Sequence, residues 1–483
     1  MAQIILFRPN ASHRLLKRSP LGLVYIATPL LLKGYTVEII DQGISADWKD
    51  KLKKSLGPET ICAGVSAMTG SSITAGLEFS GFLKRTSKVP VIWGGIHASL
   101  LPEQTVLNPF VDAVVIGEGE KKFADLVECL KAGRSLEQVN GIAFKKDGVP
   151  VFTPPADNVA MDDLPIPDFS LIDAEYYIRE SKSSYDGRRC LDLNVDRGCP
   201  FRCAFCYNIK FNERKWRAMS AGRILEVIET LKNKYRLGAI NFVSDNFFVD
   251  KKRAEAVCRG LVERGLDLKW HSDIRIDTFL QYDDAGLALI KKSGCDDLTF
   301  GIESGSDPVL KKIDKDITVA QVLKAHRRVT AAGFKANYHF MLGFPEETRE
   351  DIMATVGLAS LLTEDRATNV YGPSMYVPYP GAPLFDKCVK MGFVPPSKLE
   401  EWGAFDWEET SKLPWFTAGD KSFMNEVQTL ARGGFHNNLR SGFVTSLIYF
   451  YCRLRLWGLR RGITLGDLDT GLMRRVRDRR KSA

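Results

Sequence analysis

Cys199, Cys203 and Cys206 stand within eight residues of one another in a chain of 483 residues. Cysteine thiolates are the usual ligands of iron–sulfur clusters. Three of them on one short loop can bind three irons of a cubane and leave the fourth iron open. An open iron is what a substrate-like ligand needs, by the logic that separates catalytic from structural zinc sites. A zinc site would show a fourth Cys or His at ligand spacing, and no histidine lies within about thirty residues on either side. Three chance thiols are the remaining alternative. The other cysteines (Cys62, Cys129, Cys190, Cys258, Cys295, Cys388 and Cys452) are scattered singly and read as buried or idle thiols rather than a disulfide framework.

The elements around this loop alternate. Ile4–Phe7, Val37–Ile40, Ile61–Ser66, Val89–Trp93 and Ala113–Ile116 are short apolar runs that fit buried strands. The segments between them have helical patterns, which predicts an open, doubly wound, flavodoxin-like parallel sheet over residues 1–135. Such sheets bind ligands at the carboxyl ends of their strands. Residues 136–190 read as a hairpin (Ile142–Lys145 with Val149–Phe152) and a proline-marked connector. A second array covers 191–385, with strands at Leu191–Asp196, Ala239–Ser244, Leu268–Asp273, Asp297–Ile302, Lys335–Leu342 and Thr368–Val377. Six β–α units without a reversal predict a partial (β/α)6 barrel, whose chemistry would sit on the loops after the strands. The cysteine loop follows the first of those strands. Residues 386–483 read as irregular and aromatic, then helical and basic.

The segment Arg197-Gly198-Cys199-Pro200-Phe201-Arg202-Cys203-Ala204-Phe205-Cys206-Tyr207 resembles the signature of the radical S-adenosylmethionine superfamily, and its wording is close to the cobalamin-dependent branch. The resemblance implies a 4Fe-4S cluster on Cys199, Cys203 and Cys206, with S-adenosylmethionine chelating the open iron. One electron then breaks the sulfonium C–S bond and yields a 5′-deoxyadenosyl radical. It also implies contacts to S-adenosylmethionine at the ends of the barrel strands. Asp245, beside Asn246, would lie near the methionine ammonium, and Arg275 and Asp277 near the carboxylate and adenosyl group. Glu303, in Gly-Ile-Glu-Ser-Gly, would contact the ribose, while Gly343, in Gly-Phe-Pro, and Phe205 would lie beside adenine. Lys315 and the proline-rich stretch Val377–Pro383 also match the family's habit, although the latter reads better as a rigid turn out of the barrel. A lone carboxylate at a strand end is more often a helix cap or a surface ion pair. The weight comes from the order of the set.

The resemblance extends to the front domain, to about residue 385 in all. Ser66 and Thr69 follow the third strand, Gly94, Gly95 and His97 the fourth, and Gly117 and Gly119 the fifth. Glycines at strand ends let a ligand come close, and helix N-termini there attract phosphate. The implied ligand is cobalamin. D-x-H-x-x-G is absent, so the cobalt would be base-off without a histidine, and His97 would lie near the nucleotide tail. A flavodoxin-like domain with no cofactor is the bland alternative.

The formal charge is +8, and Arg453 to Lys481 alone carries +7, so the body is nearly neutral. That argues against an extended nucleic-acid face. The basic, aromatic tail could lie on an anionic membrane surface or pack on the barrel. Met1 to Arg8 reads as a buried strand rather than a signal peptide, and no long apolar run reads as a membrane span. The expected location is cytoplasmic, with possible peripheral contact at the inner face of the membrane. The favoured activity is methylation of an unactivated carbon in a lipid, isoprenoid, tetrapyrrole or other secondary metabolite. One S-adenosylmethionine would supply the methyl group through cobalamin and a second the radical. A flavodoxin or ferredoxin would donate the electron, and the small-molecule substrate is expected to be apolar. The alternatives are oxidative cyclisation or ring rearrangement with the same cofactors, and a non-enzymatic cobalamin or redox sensor.

Overall fold

Each apolar run at the front of the chain is too short for a buried helix, and each is followed by a helical segment long enough to cross back over the sheet. In the structure, a computed structural model that describes residues 1–10, 18–181, 187–365, 367–405, 413–435, 443–459 and 461, these runs form parallel strands. They are β1 (Ile4–Arg8), β2 (Val37–Asp41), β3 (Cys62–Ser66), β4 (Val91–Gly94) and β5 (Ala113–Val115). The order is β2-β1-β3-β4-β5, so β1 pairs with both β2 and β3 and the winding reverses there. This is the switch point at which a crevice opens outside the carboxyl ends. The hairpin β6 (Ile142–Lys146) and β7 (Val149–Phe152) continues the same sheet, with β6 antiparallel to β5.

The second array begins with β8 (Cys190–Leu193), then β9 (Asp196–Arg197) and β10 (Arg217–Ala218), which pair with each other. It goes on with β11 (Ala239–Phe242), β12 (Lys269–Asp273), β13 (Asp297–Glu303), β14 (Lys335–Leu342) and β15 (Thr368–Met375). β8 and β11 to β15 form one parallel sheet in chain order with β8 and β15 at its edges, a partial (β/α)6 barrel. Alternate residues such as Leu191, Ile240, Trp270, Phe300 and Tyr338 are buried beneath the surrounding helices. Ser220, Asp250, Asp283, Thr318 and Thr348 cap those helices with side-chain oxygens.

The two halves are joined close to the cysteine loop. Tyr25 donates to the carbonyl of Asn194 at 2.8 Å, and Arg18 pairs with Asp192 at 3.1 Å. A short 3-10 turn, Leu399–Ala404, reaches back to the first half, where Trp402 donates to Gln104 at 2.6 Å and Asn108 to Glu400 at 2.5 Å. The basic tail begins as a helix, Phe443–Leu459, whose Arg455 is buried on Glu426 at 2.7 Å and whose Phe450, Leu454 and Trp457 are exposed. The arginine cluster Arg474–Lys481 lies outside the described residues. Among the described residues no helix is long and apolar enough to cross a membrane.

Candidate functional site

The cysteine loop is stapled at its base by the β9–β10 pair, and Gly198 makes its first turn. Gly198 has φ +83°, and a Cβ there would sit 1.9 Å from the carbonyl oxygen of Lys215. Only glycine fits. Its N–H donates to Asp245 at 2.6 Å, which ties the loop to the end of β11. Farther along, Ala204 donates to Ile313 and accepts from Leu384, each at 2.8 Å. The loop is therefore held at its start by a side-chain carboxylate and farther along by two backbone hydrogen bonds.

The three thiols lie half-buried on this loop. Asn246 donates to the Cys199 sulfur at 3.9 Å, and Arg275 to the Cys203 sulfur at 3.5 Å. Burial pushes the Cys199 thiol up and that of Cys206 up to about 12, with neighbouring thiols adding to the effect at both. Iron ligation must therefore displace protons there, and donors aimed at sulfur favour the thiolate form. Among the described residues no three His, Cys, Asp or Glu side chains form a group able to hold a single metal ion. Thiols spread round a loop suit the corners of a cluster instead.

The residues expected around S-adenosylmethionine gather beside this loop, but several are already engaged. Arg275 holds Asp277 through two hydrogen bonds (2.9 and 3.2 Å), donates to the Lys315 carbonyl at 2.7 Å and stacks on Phe201 at 3.8 Å. Its fork braces the cysteine loop rather than standing open toward a ligand. Glu303 sits at a β-bulge with φ +72°, a strained value for a residue with a side chain. The bulge turns its carboxylate onto Lys315 at 2.7 Å, and the Lys315 ammonium lies 5.8 Å over the ring of Phe205. Phe205 also faces Phe344 at 5.9 Å, so an apolar wall stands beside the Gly343 turn.

Glu347 is a residue that the sequence reading missed. One carboxylate oxygen accepts from the N–H of Gly343 at 2.5 Å and of Phe344 at 3.2 Å, while the other is buried with no partner among the described residues. Burial pushes its carboxyl up to about 8. The sequence signal was available, since a carboxylate three or four residues after a glycine turn is well placed to cap it.

A cavity of about 420 Å³ lies where the two halves meet. It runs into the first sheet past Leu6, Gly64, Ile92 and Phe123, and its mouth is lined by Arg197, Tyr207, Asn212 and Asp245. Ser66, Gly94, Gly95, Gly117 and Gly119 also line it. Gly95 has φ +90°, and a Cβ there would meet the Ala67 carbonyl oxygen at 2.8 Å. At Gly64 a Cβ would come within 2.7 Å of the Leu6 side chain and 3.3 Å of Phe123, so the missing side chain keeps the shaft open. An apolar shaft with a polar mouth fits a flat aromatic base on a polar tether, the form of a corrin's nucleotide tail.

Thr69 and His97 do not line that wall. The helix Ile96–Leu100 starts directly after Gly95, so Ile96 faces the cavity and His97 turns away from it. His97 is fully buried, paired with Thr69 at 2.9 Å and packed 5.6 Å from Trp402. Burial lowers it to about 4, so it is neutral. Its Nε2 has no partner among the described residues.

The sequence reading also missed the ions that join cavity to cysteine loop. Arg197, next to Gly198, pairs with Glu118 at 2.8 Å and Glu120 at 2.5 Å, and Arg217 also reaches Glu118. Burial opposes the Arg197 charge, but Glu120 more than offsets it and the guanidinium is held firmly protonated.

Residues 193–359 match the family model of the radical SAM superfamily, and residues 10–127 match that of the B12 binding domain. The chain is 33% identical over 376 residues to an uncharacterized methyltransferase of Pyrococcus horikoshii, covering 77% of this chain and 78% of that protein. It is 27% identical over 377 residues to the anaerobic magnesium-protoporphyrin IX monomethyl ester cyclase of Rubrivivax gelatinosus, covering 76% of this chain and 66% of the cyclase. Its fold is similar to that of TsrM, a radical S-adenosylmethionine methyltransferase from Kitasatospora setae solved with cobalamin and a [4Fe-4S] cluster bound. The TM-score is 0.66 at 18% identity, over 81% of this chain and 75% of TsrM.

Proposed function

Because the chain belongs to the radical S-adenosylmethionine enzymes that carry a B12-binding domain, we propose that it transfers a methyl group to an unactivated carbon of a small molecule. Its cofactors are a 4Fe-4S cluster, S-adenosylmethionine and cobalamin. When bound, the cluster with S-adenosylmethionine supplies a carbon-centred radical and cobalamin supplies a methyl group.

The observation that carries this reading is the shared wall of the two sites. Asp245 lines the mouth of the cavity and also accepts from Gly198 at the root of the cysteine loop. A methyl donor and a radical source held there would face the same space, so that one substrate carbon could lose its hydrogen to the radical and take the methyl group in place.

The residues divide the work. Cys199, Cys203 and Cys206 hold the cluster, with Asn246 and Arg275 donating to two of the sulfurs. Phe205 and the Gly343 turn wall the adenine side, and Glu303, held by Lys315, faces the ribose. Asp245 orients the methionine ammonium. Ser66, Gly94, Gly95, Gly117 and Gly119 line the nucleotide shaft. Arg197, between the carboxylates and the loop, fixes the distance between the halves. A flavodoxin or ferredoxin supplies the electron.

The test uses anaerobically reconstituted protein with cobalamin, a reductant, methyl-labelled S-adenosylmethionine and extracts containing candidate substrates. Label in a new product together with 5′-deoxyadenosine is the expected result. Product with 5′-deoxyadenosine but no label sinks methyl transfer and favours the cyclase reading, which the Rubrivivax relative supports. No 5′-deoxyadenosine under any condition would favour the sensor.

A further inference from the structure

One face of the helix Phe443–Leu459 is fixed against the body of the protein. Cys452, Arg455, Leu456 and Leu459 are buried. The helix Ala418–Gly434 lies so close that a Cβ at Gly434 would meet Cys452 and Leu456 at 3.3 Å each. That second helix is itself tied to the barrel's edge strand, Gln428 donating to the Pro373 carbonyl at 3.0 Å. Arg455 is held inside by Glu426 at 2.7 Å, and Arg453 donates to Thr363 at 2.7 Å. These contacts set the roll of the helix. Phe450, Leu454 and Trp457, spaced i, i+4 and i+7, therefore form one stripe on the opposite side, and they are 64%, 64% and 50% exposed.

A helix face turned to water is ordinarily polar, and this one is apolar. The charge around it has a single sign. Residues 427–466 hold six arginines and no lysine, aspartate or glutamate. Arg461, just past the end of the helix, lays its guanidinium 3.7 Å over the ring of Trp457. The stripe thus ends in a cation seated on its own aromatic residue. Among the described residues no helix is long and apolar enough to cross a membrane, so this surface can lie on a bilayer but not span it.

We infer that this face docks on the surface of an anionic lipid bilayer, with Phe450, Leu454 and Trp457 at the acyl boundary and Arg461 among the phosphates. The inference goes beyond the proposed reaction and does not rest on it. Arginines beside an apolar stripe need a partner that is acidic and apolar within one side-chain length. The headgroup region of an anionic leaflet is layered in that way, and aromatic rings settle there. A nucleic-acid backbone would take the arginines and leave Leu454 in water. A second copy of the chain would bring arginine against arginine.

The test is co-sedimentation of the full-length protein, its cofactors reconstituted anaerobically, with sucrose-loaded vesicles. One set is pure phosphatidylcholine, the other equal parts phosphatidylcholine and phosphatidylglycerol. The wild type should bind the mixed vesicles roughly tenfold or more tightly than the neutral ones, and added salt should weaken that binding. Leu454→Gln/Trp457→Gln should lower affinity for the mixed vesicles by roughly tenfold, while a wild-type melting midpoint shows its fold intact. Quenching of tryptophan fluorescence by brominated lipid should lose a component in Trp457→Phe, which keeps an apolar ring in place. Equal binding to both vesicle types, wild-type affinity in the double variant, or unchanged quenching in Trp457→Phe would each overturn the inference. A dimer in gel filtration that the double variant abolishes would overturn it too, by giving the stripe to a second copy.

Discussion

Arg197 offers the sharpest test of how the two halves are held together. Its side chain is 15% exposed, and the carboxylates of Glu118 and Glu120 that it bridges are 8% and 6% exposed. Arg197→Met keeps much of the stem but leaves Glu120 without its guanidinium, while Glu118 keeps Arg217. Breaking one side of a buried pair costs about 3–5 kcal/mol, because the orphaned charge stays buried. The surviving Arg217 contact places this case near the lower end, about 3 kcal/mol. For units of about 150–250 residues, each kcal/mol shifts the melting midpoint by about 2–4 °C, so a fall of about 6–12 °C is expected. Glu120→Gln should cost less, since Arg197 keeps Glu118. The double variant Arg197→Met/Glu120→Gln should recover part of the loss by removing the orphaned charge. Differential scanning calorimetry reads the midpoint, and cobalamin absorbance after gel filtration reads whether the shared mouth survives. A single variant that melts within about 1 °C of wild type, or a double variant whose loss is the sum of the two singles, would refute a coupled buried network.

Two further perturbations address the loop and the turn. Gly198→Ala forces a side chain into φ +83° and onto the Lys215 carbonyl; the left-handed conformation alone costs about 1–2 kcal/mol. Iron and sulfide per chain after anaerobic reconstitution should fall below about half of wild type, and an unchanged iron content would show that the loop does not need this turn. Glu347 has a folded-state pKa of about 8 against an ordinary 4.5. A raised carboxyl stabilises the fold below the unfolded value, and that contribution is lost as pH climbs from about 4.5 through about 8. Wild type should therefore lose stability between pH 5 and 9 more steeply than Glu347→Gln, and parallel melting profiles for the two would contradict a buried neutral carboxyl.

The sequence by itself determined the local chemistry. Three thiols within eight residues, glycines after the strands of the first sheet and alternating apolar runs are short-range patterns, and each is written in neighbouring residues. Strand length and the helices between strands then gave both parallel sheets, because the crossover rule leaves few other arrangements. What the tertiary structure decided are matters of contact between distant segments. It engaged Arg275 with Asp277 and the Lys315 carbonyl, 40 residues on. It turned His97 off the cavity and under Trp402, some 300 residues later in the chain. It bridged the front domain to the cysteine loop through Arg197 and two glutamates nearly 80 residues before it. The polar face of the barrel was present in the strand alternation, Asp-Leu-Thr-Phe-Gly-Ile-Glu in β13 being one instance. Alternation says that two faces differ, but only parallel pairing shows which face is enclosed. It is that register which set Asp273 level with Thr299 and Asn337, and His339 level with Tyr371 one layer on.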